Sequence, residues 1–260
     1  MAVAVPDILA KIVSHKRAAL AGRAGERVDL ERRAAQRAPA RDFKAALTAH
    51  APAIISEIKK ASPSKGILTH DFRPASIARM YASGGAAALS VLTDREFFKG
   101  DLADLEAARA AVSIPVLRKD FTIDALHVIE AAAHGADAIL LIAAILDESQ
   151  MREFRALAAR YGMAALVEVH NDEELDAALA SGAEIVGVNN RNLHTFEVSL
   201  ETSLRLAKRI PASVVKVAES GIHSREDVQT LRAAGFHAFL VGEHLMKSED
   251  PAAALKALRA

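Results

Sequence analysis

The chain has no cysteine among its 260 residues. That removes disulfides, thiolate metal sites and a cysteine nucleophile together. It also lacks net charge, with 33 Lys and Arg against 33 Asp and Glu. No overall field is available to hold a polyanion or an anionic membrane, so neither nucleic acid nor a membrane is expected as a partner. The longest apolar run, Ala138 to Leu146, is nine residues, far short of a bilayer span. The start, MAVAVPDILAKIVSHKRAAL, is broken at Pro6 and Asp7 and carries Lys11, His15, Lys16 and Arg17 at helical spacing. It does not read as a secretory signal, and a cytoplasmic protein is expected.

Several motifs are missing as well. No GxGxxG follows the first apolar run, no P-loop occurs, and no GxSxG elbow is present. The ten histidines show no HxxxH or HExxH spacing. His50, His134, His170 and His194 fall at helix ends or in loops, where solvation is the plainer reading. No metal and no cofactor is expected, and the chemistry must rest on charged side chains.

What is present is a large apolar fraction, 51% hydrophobic residues with 25% charged, enough for a full core without staples. Eight aliphatic runs recur along the chain, at 53–60, 87–94, 114–121, 137–145, 164–170, 184–190, 214–220 and 238–243. Most lack polar alternation, as strands buried on both faces do. Segments of helical spacing lie between them, several opening on Asp, Asn or Ser and closing on Gly. A helix-end glycine followed by a strand recurs at Gly84, Gly135, Gly182 and Gly235, at intervals of roughly fifty residues, each room for two βα units. The fold class expected is α/β, a single (β/α)8 TIM barrel.

Residues 1–50 stand apart, with ten Lys or Arg against five Asp or Glu. Ile8, Leu9, Ile12 and Val13 share one helical face. This part reads as a helical extension packed on the barrel with a solvated charged face. A lid whose basic side chains draw in an anionic substrate is the alternative. With no linker visible, 1–260 is taken as one domain, the barrel being 51–260.

In a barrel, catalytic groups sit where strands end, and an ionisable group late in a buried strand needs a partner or a purpose. The first run ends in Glu57 and Lys59, which strand period two puts on one face. The third delivers Lys119 and Phe121, the fifth Glu168, the sixth Asn189 and Arg191, and the seventh Glu219. The seventh and eighth runs lead into AESGI and VGEHLM. Ser220, Gly221 and Gly242 there supply a hydroxyl and close-approach N–H groups where barrels commonly hold phosphate. Ser62 and Ser64 could add donors from the opposite side, while Glu243 is repulsive to phosphate unless it points away.

These residues sit in motifs that resemble the indole-3-glycerol phosphate synthase family: EIKKASPSKG at 57–66, YASGGAAALSVLTDREFFKG at 81–100, PVLRKDF at 115–121, GADAILLI at 135–142, LVEVH at 166–170, GVNNRNLHTFEV at 187–198 and VAESGI at 217–222. They cover nearly the whole barrel in order. The resemblance implies an enzyme, a carboxy-lyase of tryptophan biosynthesis that closes the indole ring on a phosphorylated small molecule; a monomer is expected. It implies Lys119 as general acid, Lys59 at the substrate carboxylate, Glu168 as proton acceptor or cation stabiliser, and Glu57, Asn189, Arg191 and Glu219 as orienting groups. Phe121 would stack on the aromatic ring, and Ser62, Ser220, Gly221 and Gly242 would hold the phosphate. Departures fall at Glu243 and His244, where some relatives carry small or hydroxylated residues. The nearest rival, phosphoribosylanthranilate isomerase, needs a cysteine that this chain lacks. A Schiff-base aldolase would need a neutral lysine, which the nearby carboxylates oppose. A sugar-phosphate binding module leaves five polar strand ends unexplained. Turnover on this reading should be unchanged by EDTA. A loss restored by a divalent metal would contradict it.

Overall fold

The computed structural model describes residues 7–63, 65–69 and 71–260; Ser64 lies outside them. Each predicted run is a strand, trimmed at its ends: β1 (Ala53–Ile58), β2 (Ala88–Leu92), β3 (Val116–Lys119), β4 (Ala138–Ile142), β5 (Ala164–Val169), β6 (Ile185–Asn189), β7 (Val215–Glu219) and β8 (Ala238–Val241). Neighbours in sequence pair in parallel, and β8 returns to β1, closing the barrel. Alternation within each strand sorts the side chains. Ile55, Leu117, Leu140, Leu166, Val217 and Leu240 fill the barrel interior, while Ile54, Leu89, Val116, Ile139, Val167 and Phe239 pack outward under the helices. Both faces are apolar, which is why the runs showed no polar alternation.

Caps set the helix ends. The side chains of Asp101, Asp124, Asp147, Asn171, Ser224 and Asp250 each accept an N–H of the first helical turn. Gly135, Gly182 and Gly235 adopt left-handed φ of 85°, 83° and 91°. In the first repeat that role falls to Gly85, at φ 92°, and not to Gly84. Gly84 ends its helix in tight contact with Ala252.

The extension forms α1 (Asp7–Leu20), α2 (Arg27–Ala35) and α3 (Phe43–Ala49). Phe43 and Leu47 of α3 plug the N-terminal end of the barrel, whereas Leu9 and Ile12 of α1 join the same apolar interior from the mouth. Leu30 and Ala34 of α2 pack on the barrel's outer layer, with α2 against the helix Ala125–Ala133, whose His127 and Glu130 are buried.

The basic excess of this segment is not left to solvent. Lys16 reaches Asp94 at 3.0 Å and Asp120 at 2.5 Å. Arg23 reaches Glu130 at 2.6 Å. Arg37 stands 3.5 Å from Asp137, and the Arg41 backbone N–H donates to that same carboxylate at 2.9 Å. Lys16, Arg23 and Arg37 are engaged with buried carboxylates and the Arg41 guanidinium donates to the Ile114 and Arg109 carbonyls, so the alternative in which the extension's basic groups draw in an anion does not hold for these four. What α1 turns to the mouth is Ile8, Leu9 and Ile12. Among the described residues no helix is long and apolar enough to cross a membrane.

Asp137 is fully buried and also accepts from Arg109 at 3.0 Å and the Val116 N–H at 2.9 Å. Asp137→Ala strands these donors without an acceptor, an expected loss of about 3–5 kcal/mol. A urea midpoint equal to that of the native protein would refute this role.

Candidate active site

One cavity of about 600 Å³ opens at the C-terminal ends of the strands. Its walls contain all of Glu57, Lys59, Ser62, Lys119, Phe121, Glu168, Asn189, Arg191, Glu219, Ser220, Gly221 and Gly242. The strand-end residues singled out from sequence thus converge on one volume.

At its centre the Lys119 ammonium donates to Glu168 Oε2 at 2.6 Å and to Glu219 Oε2 at 2.9 Å. Glu168 and Glu219 are buried, and Lys119 keeps 14% exposure toward the cavity. Burial works against the charge on Lys119, but Glu168, Glu219 and Glu57 outweigh it and hold the amine protonated well above the usual lysine range. The two carboxylates then part company. Burial raises Glu168, yet Lys119 and His170 outweigh it and keep this carboxylate below the usual range. For Glu219, burial together with the neighbouring Glu168 charge prevails over Lys119 and pushes it up to about 7. Its Oε1 has no hydrogen-bond partner among the described residues. The site therefore holds one committed anion, one committed cation and one carboxyl that titrates near neutrality.

Glu57 and Lys59 pair at 2.5 Å, as the strand period suggested. Lys60 points elsewhere, 5.9 Å from the Phe72 ring centre. Asn189 donates through Nδ2 to Glu168 Oε1 at 3.2 Å and accepts the Arg191 N–H at 3.1 Å. The Arg191 guanidinium donates to the Phe196 carbonyl at 3.3 Å, tying down the loop after β6.

The two ends of the cavity differ. Phe121 lies 5.9 Å from Phe98, and with Leu9, Ile12, Leu140 and Ile142 they make an apolar end suited to a planar ring. Opposite, Ser220 and Gly221 take successive left-handed φ of 65° and 75°, a sharp turn packed under Val198. Ser62 stands in a two-residue strand (Ala61–Ser62) paired antiparallel with Gly66–Ile67. Glu243 accepts from Lys247 at 2.6 Å, so its charge is already paired.

Two features escaped the sequence reading. A Cβ on Gly187 would collide with Glu219 Oε1, and one on Gly242 with Glu57 Oε1. These glycines make room for the carboxylates. The available signal for Gly187 was a glycine inside a strand. The second is His170, read as solvated. Its ring is 9% exposed and lies between Glu168 and Glu174. Glu174, four residues on, was the visible clue.

A closed (β/α)8 barrel with a lysine–carboxylate set at the strand ends defines an acid–base barrel enzyme. The same fold appears in N-acetylmannosamine-6-phosphate 2-epimerase from Clostridium perfringens, with a TM-score of 0.61 and 15% identity over 80% of this chain and 92% of that one. It appears also in thiamine phosphate pyrophosphorylase from Pyrococcus furiosus, with a TM-score of 0.59 and 17% identity over 80% and 93%. Sequence identifies the group within that class. The indole-3-glycerol phosphate synthase family profile matches residues 9–258. The chain is 55% identical to indole-3-glycerol phosphate synthase of Chromobacterium violaceum over 97% of both chains, and 52% identical to that of Variovorax paradoxus over 98% and 99%. The chain belongs to the indole-3-glycerol phosphate synthase family, lyases of tryptophan biosynthesis.

Gly187→Ala should displace Glu219 from Lys119 and lower turnover about tenfold or more while the fold persists. Thermal unfolding and steady-state rates on one preparation separate the two effects. Native turnover in the variant would show that Glu219 needs no such room.

Proposed function

We propose that this protein converts 1-(2-carboxyphenylamino)-1-deoxyribulose 5-phosphate into indole-3-glycerol phosphate, carbon dioxide and water. The observation that carries the reading is the Lys119 ammonium held between Glu168 and Glu219 at the floor of a cavity with one apolar and one glycine-turn end. The anthranilate ring suits the side of Phe98 and Phe121, and the phosphate the turns at Ser220–Gly221 and Gly242 with Ser62.

The ring carbon bearing the carboxylate attacks the ketone carbon, and the carbonyl oxygen takes a proton from Lys119. Negative charge develops on that oxygen and positive charge toward the ring nitrogen. An ammonium and an ionised carboxylate already in place lower this barrier by preorganisation. Loss of carbon dioxide returns the electron pair to the ring. The new hydroxyl then leaves as water with a proton from Lys59, while the adjacent carbon gives a proton to a carboxylate. Glu168, held ionised, steadies the cationic nitrogen. Glu219 is the carboxylate able to accept a proton near neutral pH. Glu57, Asn189 and Arg191 orient the lysines and the sugar hydroxyls.

Purified protein should generate indole fluorescence from this substrate, and its absence from well-folded protein would overturn the reading. Lys119→Ala should lower kcat by about 10²-fold or more, whereas a change confined to KM would make Lys119 a binding residue. Borohydride should trap no adduct, since Lys119 keeps its proton. Because Glu219 accepts a proton only when ionised, kcat/KM should rise with pH through a limb near 7, and Glu219→Gln should abolish that limb. Persistence of the limb in the variant would assign it to another group.

A further inference from the structure

A second cavity of about 460 Å³ adjoins the main one, sharing Asn189, Arg191 and Leu193 with it, and two residues at the end of β5 divide between them. Glu168 lines the first, and His170 lines the second together with Asn171, Glu173 and Glu174. His170 does not line the substrate cavity, and the site group its ring reaches is Glu168.

Its position is over-determined. Glu174 Oε2 accepts both the His170 backbone N–H at 2.8 Å and its ring Nδ1 at 2.9 Å. Glu174 Oε1 accepts from Asn171 Nδ2 at 2.9 Å, and Asn171 Oδ1 accepts the Glu174 N–H at 2.9 Å, capping the helix Asp172–Ala180. The clamp leaves Nε2 facing Glu168 Oε1 at 3.3 Å, off the line of a hydrogen bond but within direct ionic reach. The charged and titratable groups around the ring are Glu168 on β5, with Lys119 and Glu219 beyond it, Glu174 and Glu173 on the following helix, and Arg191, His194 and Glu197 of the segment after β6, which line the same cavity.

We propose that His170 is a positioning residue of the reaction: clamped by Glu174, it presents an imidazolium to Glu168 and fixes the carboxylate that grips Lys119. This rests on the reading given under Proposed function. Two carboxylates flank the ring, and they outweigh the burial that opposes its charge, pushing it up to about 9. Without that cation, Asn189 alone would favour the ionised form of Glu168 over Glu219, and the pair would bind its shared proton more tightly.

The test has one arm independent of activity. In NMR spectra of the ligand-free protein, the His170 ring should remain protonated at pH 8, above the ordinary histidine midpoint of about 6.5. Glu168→Gln and Glu174→Gln should each bring that midpoint down. Titration near 6.5 in the native protein, or no response to Glu168→Gln, would overturn the proposal. In the second arm, His170→Gln should lower kcat about tenfold with KM within about twofold, and should move the neutral-pH limb to higher pH. A variant with native kcat and limb, or one altered only in thermal stability, would also overturn it. If no indole product forms, the reading under Proposed function fails by itself, and the spectra still decide whether His170 and Glu168 are coupled.

Discussion

The site depends on one ammonium shared by two buried carboxylates. Lys119 comes from β3, Glu168 from β5 and Glu219 from β7, with Glu57 on β1 adding to the same field. These are alternate strands, the set that supplies one layer of a closed barrel. Closure therefore brings together residues 57, 119, 168 and 219, which no local structure could join. The intervening strands yield space at this level. Ser90 of β2 is in register with Glu57, Gly187 of β6 with Glu168, and Gly242 follows β8 beside Glu57. On β4 the residue in register with Glu168 is Ile142, so small residues on three of the four even strands let four long ionisable side chains occupy one layer.

Burying such a set costs several kcal/mol per uncompensated charge, and the compensation extends outward along the same strand. Lys119 points into the barrel while Arg118 and Asp120 point away. Arg118 donates to Asp120 at 3.1 Å and Glu130 at 2.7 Å, and Lys16 of α1 closes on Asp120. Burial tends to raise Asp120, but Arg118 and Lys16 hold it well below the usual range. Through these contacts α1 is tied to the strand end that carries the central lysine. The extension is thus part of the charge balance around the site as well as its apolar cover.

What could be read in the sequence follows the same division. Lys119, Glu168 and Glu219 were visible because an ionisable residue late in an apolar run is costly and needs a reason. Glu57 and Lys59 were visible as a pair because strand period two is a local rule. Gly187 was not, since its purpose is to avoid a side chain on the next strand. Lys16 was not, since nothing near it in sequence hints at Asp94 or Asp120. His170 was misjudged because its burial depends on how the following helix docks. A left-handed helix end is specified by glycine, but with two glycines adjacent the sequence could not choose Gly85 over Gly84. Local rules were legible. Compensation between distant segments was not.

The asymmetry between the two carboxylates is the last consequence of the central interaction. One carboxylate against one lysine would make a closed ion pair with no titration near neutral pH. A second carboxylate on the same ammonium adds a like charge that a buried site cannot hold without resistance, so one of the two must keep a high proton affinity. Asn189 and His170 approach Glu168, and among the described residues none donates to Glu219 Oε1, so the proton falls to Glu219. Decarboxylation of an ionised substrate consumes one proton overall, because a carboxylate leaves as neutral carbon dioxide. A site with two cations and no titrating acid would have to draw that proton from solvent past a bound substrate and the cover formed by α1. The Lys119–Glu168–Glu219 set holds a proton on the lysine and a group beside it that exchanges protons at working pH. The second carboxylate is therefore a means of keeping the acid charged between turnovers.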